Sequence, residues 1–302
     1  MIKKIISDRN ILLVLAVLFG FIFPEFAEYL KSSTFWVLAI VMTFSLSGIS
    51  TKALLPLKTV IIPMLKGIFL NHIVYGFLMI SFAFLFRENN NLFVGFIILA
   101  ATPPGVAIIP FTVKMKGNLN YSILGTFGAF LASIFFTPFI IEVFAKNDSI
   151  SSFELLKIMI MLIVVPFALS RLLLLKPIVN QVIKTRGSII DIGFAIIIYT
   201  SVGINNQVFF NDFETLIKVV LVLFIIMFVV SWLIKTVLRN KIPKEDIIST
   251  QLLYAVKSSG FAVVTAIELF GNKSAIPATV LSVITLVYLL YQILLTKILR
   301  TG

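Results

Sequence analysis

The sequence predicts an all-α integral membrane protein: ten transmembrane helices in a five-plus-five inverted repeat, with spans four and nine broken where they cross. Three observations carry that reading. The 302 residues are 60% apolar and 13% charged, with a mean hydropathy of +1.11. The apolar residues fall in ten runs joined by short loops. Two of those runs carry helix breakers near their centres, half a chain apart. An ordinary soluble domain is about 25% charged, and a soluble globule of this length could not hide so much apolar surface. A soluble enzyme or DNA-binding domain is thereby excluded.

A hydrocarbon core about 30 Å thick takes about 20 apolar residues per helix. The runs cover about 10–30, 34–50, 59–86, 91–115, 118–144, 152–175, 187–206, 213–238, 247–270 and 275–298. The alternating ten-residue pattern of a membrane β-barrel is absent, which leaves helices. The first run follows a basic start, MIKKIISDRN, but no small-residue cleavage site comes after it, so it reads as a retained span. The second and seventh runs are the shortest. The third carries Asn71 and His72 in an apolar stretch, and the seventh carries Asp191 near one end. The fourth is interrupted by T-P-P-G at 102–105 and the ninth by K-S-S-G at 257–260. No loop is long enough for a second domain. Residues 1–302 are therefore expected to form one transmembrane domain, with repeats at about 5–145 and 150–300.

Charge sets the orientation. Ten spans put both termini on one side, and that side collects seventeen Lys and Arg residues. The other side has four: Lys31, Arg87, Lys146 and Lys273. The positive-inside rule then puts both termini in the cytoplasm of a multi-pass protein of the cytoplasmic (inner) membrane. The net charge of +12 is explained by orientation, and no nucleic-acid partner is expected. Cysteine is absent and His72 is the sole histidine, so no thiolate chemistry, His-rich metal site or cofactor is expected.

The two breaks are related. T-P-P-G-V-A-I-I and K-S-S-G-F-A-V-V share Gly, Ala and two β-branched residues in register, and Gly105 and Gly260 stand 155 positions apart. Pro103 and Pro104 cannot donate backbone hydrogen bonds, and Gly105 permits unusual backbone. In hydrocarbon such breaks are tolerated where they line a cavity. A five-span half is odd, so its copy is inverted, and the site belongs where the broken helices meet near the midplane. An ordinary kink is the alternative for either break alone.

Lys257 is the sharpest polar feature. It lies mid-span beside Ser258, Ser259 and Gly260, with no carboxylate nearby in its own run. A lysine at a helix centre costs about 2.5–3.5 kcal/mol and faces a cavity or a partner, unless it snorkels to an interface. Gln251, Tyr254 and Ser258, spaced i, i+3, i+7, predict a polar stripe on one helix face. Asn71 and His72 read either as site residues or as helix–helix hydrogen bonds.

At these residues the sequence resembles the bile acid:sodium symporter family. The resemblance is clearest from Asn71 through Thr126 and from Gln251 to Thr285, in P-P-G-V-A-I-I-P-F-T-V-K-M-K-G-N (103–118) and V-K-S-S-G-F-A (256–262). It implies ten spans, a panel and a core domain, and organic-anion uptake with two sodium ions. Carried over by position, sodium ligands of the fourth span fall on Ile108 and Ile109, while the Ser and Thr ligands of the fifth are kept as Ser122 and Thr126. A glutamate of the ninth span falls on Leu253, a glutamine on Lys257 and a third-span glutamine on Asn71. Ser258, Val106 and Thr285 replace an Asn, a Thr and a His, and Pro104, Gly105 and Thr112 lie in the matched segment.

These changes remove most of the sodium oxygens and place an ammonium where a sodium would sit. The expectation is a secondary carrier of a small organic anion, working by alternating access without sodium. Lys257 would supply the charge through Asn71, Thr126 and carbonyls freed at the breaks, and proton coupling would follow if Lys257 cycles between charged and neutral states. An auxin-efflux-type permease and a cation/proton antiporter are the rival carriers. An intramembrane enzyme built on Ser259 and His72 is the remote alternative from another class.

Overall fold

The computed structural model describes residues 9–49, 57–105, 107–145 and 152–301. Val106 and Lys146, both named above, lie outside the described residues. The helices are α1 (Arg9–Ile22), α2 (Glu25–Lys31), α3 (Thr34–Leu46), α4 (Thr59–Phe86), α5 (Asn90–Ala101), α6 (Ile108–Met115) and α7 (Leu119–Phe144). They continue as α8 (Phe153–Leu172), α9 (Val179–Ile204), α10 (Asn206–Asn211), α11 (Phe213–Leu238), α12 (Lys244–Ala255), α13 (Ser259–Phe270) and α14 (Ile276–Thr301). Among the described residues the one β feature is an isolated bridge between Pro104 and Lys257.

Among the described residues six helices are long and apolar enough to cross a membrane, and joining α1 to α2 would make a seventh span. That join bends by 113°, so the predicted first run is not one straight helix. Pro24 is the reason: it lacks an N–H, and it disfavours helical backbone at Phe23. The fourth and ninth runs are halved at their breaks, so their pieces are too short to count as spans alone. The seventh begins at Val179, eight residues before its predicted start, because V-N-Q-V-I-K-T-R is helical but too polar for a hydropathy window.

Local chemistry fixes several starts. Asn89, Asn118 and Asp212 cap α5, α7 and α11, each accepting a backbone N–H three residues on with its side-chain oxygen. Elements recur at nearly constant spacing: the starts of α4, α5 and α7 reappear 154, 154 and 157 positions later as α11, α12 and α14. Within α4, α8 and α11 the helix widens to π-helical turns at Phe69–Val74, Ile160–Val164 and Ile225–Val229.

Packing follows a small and a large cluster. α1, α2 and α3 pack on α9 around Leu13, Val41, Phe194, Ile198 and Val202. The large cluster centres on the buried helices α5, α12 and α13 through Phe96, Leu99, Leu252, Phe261 and Val264. α4 meets α7 backbone to backbone: a Cβ on Gly67 would lie 2.1 Å from the carbonyl oxygen of Gly125. The exterior is apolar, with Ile62, Phe77, Phe135 and Trp232 all exposed, as lipid-facing surface would be.

Two loop pairs are tied together. The Asn118 N–H donates to the Glu245 carbonyl (3.0 Å), its amide donates to the Asp246 carboxylate (2.7 Å), and the Ser249 hydroxyl donates to the Asn118 carbonyl (2.9 Å). Arg171 donates to the carbonyls of Leu46 (2.6 Å), the last residue of α3, and Ile49 (2.9 Å), just beyond it.

Candidate functional site at the crossing of two helix breaks

The predicted breaks lie side by side. α5 ends at Ala101 and α12 at Ala255, and the extended segments that follow pair in antiparallel fashion. Gly105 N–H donates to Val256 O (2.8 Å) and Ser258 N–H donates to Pro103 O (3.0 Å). Pro103 and Pro104 have no N–H to satisfy, so the Gly105 amide is the first donor this strand can offer its partner. A Cβ on Gly105 would lie 2.9 Å from the Lys257 carbonyl oxygen and 3.0 Å from Val256 Cγ1, so a side chain there would push the segments apart. Beyond the bridge α6 and α13 begin, so helix N-termini and C-termini converge here with opposite partial charges.

Lys257 is 2% exposed, and its ammonium points at oxygens. It donates to Asn71 Oδ1 at 2.9 Å, and makes longer contacts to Asn71 O at 3.3 Å and Ala100 O at 3.5 Å. It also sits 4.9 Å from the centre of the Tyr75 ring, within cation–π range. Each acceptor has a structural origin. The Asn71 carbonyl belongs to the π-helical turn of α4, where the regular i to i−4 ladder is interrupted. The Ala100 carbonyl is in the last turn of α5, one of the four left without a helical partner and at the negative end of the dipole. Among the described residues no carboxylate lies within 4 Å of Lys257, and the ion pairs found are two surface pairs, Lys31–Glu28 and Lys218–Glu214.

The expected polar stripe is not one face. α12 stops at Ala255, so Ser258 belongs to the break, and Gln251 and Tyr254 face α11. Gln251 donates to Ser231 O (3.0 Å) and Oγ (3.1 Å), while Tyr254 donates to the Ile226 carbonyl (2.9 Å). Ile226 lies in the π-helical turn of α11, 155 positions after Asn71. The wide turns of α4 and α11 thus each give a carbonyl to a side chain from the α12 segment.

Thr126 was expected beside Lys257, but it is not among the ammonium's partners, and its buried hydroxyl has no protein partner. The Thr112 hydroxyl donates to Ile108 O (2.8 Å) and accepts from the Ser122 hydroxyl (2.8 Å), which joins α6 to α7. Ile108 and Leu253 are fully buried, and Leu253 fills the notch at Gly125, where a Cβ would lie 2.7 Å from Leu253 Cδ1. His72 packs: its Nε2 contacts Ala129 O (3.0 Å) and Ser133 Oγ (3.1 Å), and its ring stacks on Phe136. The imagined Ser259–His72 dyad is therefore not formed.

On the other side of the bridge lies a cavity of about 50 Å³. Gly105, Lys257, Ser258 and Ser259 form its wall from the breaks, Ser282 and Thr285 from α14, and Leu13, Phe194 and Ile198 from α1 and α9. Gly260 opens α13 there, with Phe194 3.2 Å from where its Cβ would stand. The hydroxyls of Ser258 and Thr285 are buried without a protein partner. Sequence reasoning missed Tyr75, Ser282 and the Ala100 carbonyl. Tyr75 was findable, since it stands four residues after Asn71 on the same helix face.

The sequence profile of the SBF-like CPA transporter family, the bile acid:sodium symporter-like transporters, matches residues 10–301. The chain belongs to this family. It is accordingly a multi-pass membrane transport protein, and the family is one of transporters rather than enzymes. No curated protein sequence matches it. In this SBF-like transporter the positions expected from the resemblance to carry sodium ligands include Ile108, Ile109 and Leu253. A hard cation requires several oxygens, whereas Ile108, Ile109 and Leu253 offer only hydrocarbon side chains. Among the described residues no group of three Asp, Glu, His or Cys side chains could hold a metal.

Proposed function

We propose that this SBF-like transporter carries a small organic anion across the membrane by alternating access, without sodium, and that Lys257 supplies the positive charge at the crossing. The observation that carries the reading is the ammonium of Lys257, held by Asn71 Oδ1 with the Asn71 and Ala100 carbonyls beyond it, in an oxygen cage of the kind a bound cation takes. A lysine ammonium beside two half-helix N-termini favours an anionic cargo. No acidic residue lines the cavity at the crossing, which speaks against a cation/proton antiporter.

Ten spans in two inverted halves accommodate the recurrence of α4, α5 and α7 as α11, α12 and α14, and the π-helical turns of α4 and α11. The same count puts the loops joined at Asn118 and Glu245 on one face, and likewise those joined by Arg171, with both termini in the cytoplasm. In this reading α1, α2, α3, α8 and α9 form the panel, and the broken helices belong to the core. The cavity lies between them, lined by Phe194 and Ile198 on one side and Ser258 and Ser259 on the other. At about 50 Å³ it holds roughly three waters. A carboxylic acid enters only when panel and core separate.

The test is uptake of radiolabelled carboxylates into proteoliposomes, with external sodium replaced by choline. Unchanged uptake is expected. A strict sodium requirement overturns the reading. Imposing a pH gradient separates proton coupling from facilitated diffusion.

A further inference from the structure

A second, larger cavity lies away from the crossing. It has a volume of about 500 Å³ and opens between the end of α11, the start of α12 and the later turns of α14. Lys235 comes from α11, Arg239 follows directly on its last residue and Lys244 opens α12, and no Asp or Glu is part of the lining. Buried Gln251 and Gln292 form its polar floor, with their amide groups donating inward to Ser231 and to Tyr288. Trp232 stands at the lipid side, 58% exposed, between exposed residues that continue the apolar outer surface.

The positive-inside rule explains basic residues at this end of the molecule, but not their convergence on one cavity. Elsewhere on the same end the cations do not converge: Lys176 stands exposed in the turn between α8 and α9, and Lys184 is the one Lys or Arg that lines a more open cavity of about 590 Å³ beside α9. Here three of them surround a volume in the range of small-ligand sites. The cavity also sits at the end of a 26-residue apolar span, with a tryptophan at its edge, the residue type enriched where headgroups meet hydrocarbon.

We propose that this cavity binds the phosphate-bearing headgroup of an anionic phospholipid: Lys235, Arg239 and Lys244 hold the phosphate, and Trp232 with the apolar wall accepts the upper acyl chain. Basic pockets between membrane helices bind anionic headgroups by this chemistry. The site is independent of the transported substrate and of its coupling.

The experiment uses the purified full-length chain in neutral detergent, titrated with phosphatidylglycerol or phosphatidylcholine, with bound lipid counted by native mass spectrometry. Preference for phosphatidylglycerol is expected. Each cation near an anionic lipid surface contributes about a fivefold factor, so Lys235→Gln/Arg239→Gln/Lys244→Gln should lose about a hundredfold of that preference. Lys176→Gln/Lys184→Gln, which removes charge from the same end, should keep it. Equal loss in both variants means diffuse attraction and overturns the site. If glycerol phosphate, added as a soluble probe, binds as well as the lipid, the ligand is a soluble phosphate and the lipid assignment fails. Should the triple variant not fold, Lys244→Gln alone should lose about fivefold, and no loss there counts against the proposal.

Discussion

The contact between Lys257 and Asn71 makes a prediction that runs against ordinary expectation: removing both partners should harm the fold less than removing one. Of the three oxygens facing the ammonium, only Asn71 Oδ1, at 2.9 Å, lies within charge-assisted hydrogen-bond range. Such a bond contributes about 1.5–3 kcal/mol. Asn71→Leu deletes it and leaves a charged, buried amine with two long carbonyl contacts. It costs little else, because the Asn71 amide nitrogen has no protein partner to lose. A loss of about 3 kcal/mol or more is expected, since breaking one side of a buried charge interaction strands the other. Lys257→Met removes the charge itself, and with it a burial cost of about 2.5–3.5 kcal/mol, so its net effect is smaller. The double variant Asn71→Leu/Lys257→Met should then be more stable than Asn71→Leu alone, with a coupling of about 2 kcal/mol. Denaturant unfolding of the four proteins in mixed micelles, followed by tryptophan fluorescence, measures the cycle. Additive costs, or a double variant weaker than both singles, would refute a charged lysine held by Asn71.

Other perturbations test neighbouring contacts. Gly67→Ala should destabilise strongly, by about 3 kcal/mol, because its Cβ would meet the Gly125 backbone at 2.1 Å, whereas Gly187→Ala, with nothing within 4 Å, should be neutral or slightly stabilising; thermal unfolding in detergent compares them. Gly105→Val should separate the paired breaks at Lys257 O and abolish uptake in proteoliposomes while the variant still inserts in the membrane. His72→Phe should cost about 1 kcal/mol through the lost Ala129 and Ser133 contacts. It should also leave the pH profile of uptake unchanged, and a shifted profile would give His72 a proton-handling role.

Legibility in the sequence divided along a physical line. The breaks announced themselves because Pro and Gly act locally: Pro103, Pro104 and Gly105 lose or loosen backbone whatever surrounds them. Lys257 was legible because a charge among apolar residues demands an explanation. The bend at Pro24 carried the same kind of signal, yet the hydropathy of the flanking phenylalanines masked it. Three features could not be read at all. The π-helical turns have no residue signature, the fit of Leu253 into the Gly125 notch is a relation between distant helices, and the backbone bridge pairs residues 153 positions apart. The i, i+3, i+7 stripe failed because a periodicity argument assumes an unbroken helix, and α12 ends three residues before Ser258.

A tethered ammonium and a dissolved sodium ion can neutralise the same oxygens, but they differ in what they allow thermodynamically. Sodium leaves the site on the far side and so links the anion's movement to its own gradient. Lys257 cannot leave. Its contacts with Asn71 on α4 and Ala100 on α5, and its own place between α12 and α13, tie it to helices of the large cluster, so it travels with them through any rearrangement. Under the proposed mechanism the ion gradient therefore drops out, and the anion's own gradient, or exchange against a second anion, drives the net flux. The one mobile charge left at this centre is the proton of Lys257. If that proton is released with each cycle, a pH gradient across sodium-free proteoliposomes should accumulate the anion above equilibrium, and Lys257→Arg, which holds its proton far more tightly, should abolish the accumulation but not exchange. Exchange and accumulation failing together in Lys257→Arg would instead assign the lysine to binding alone.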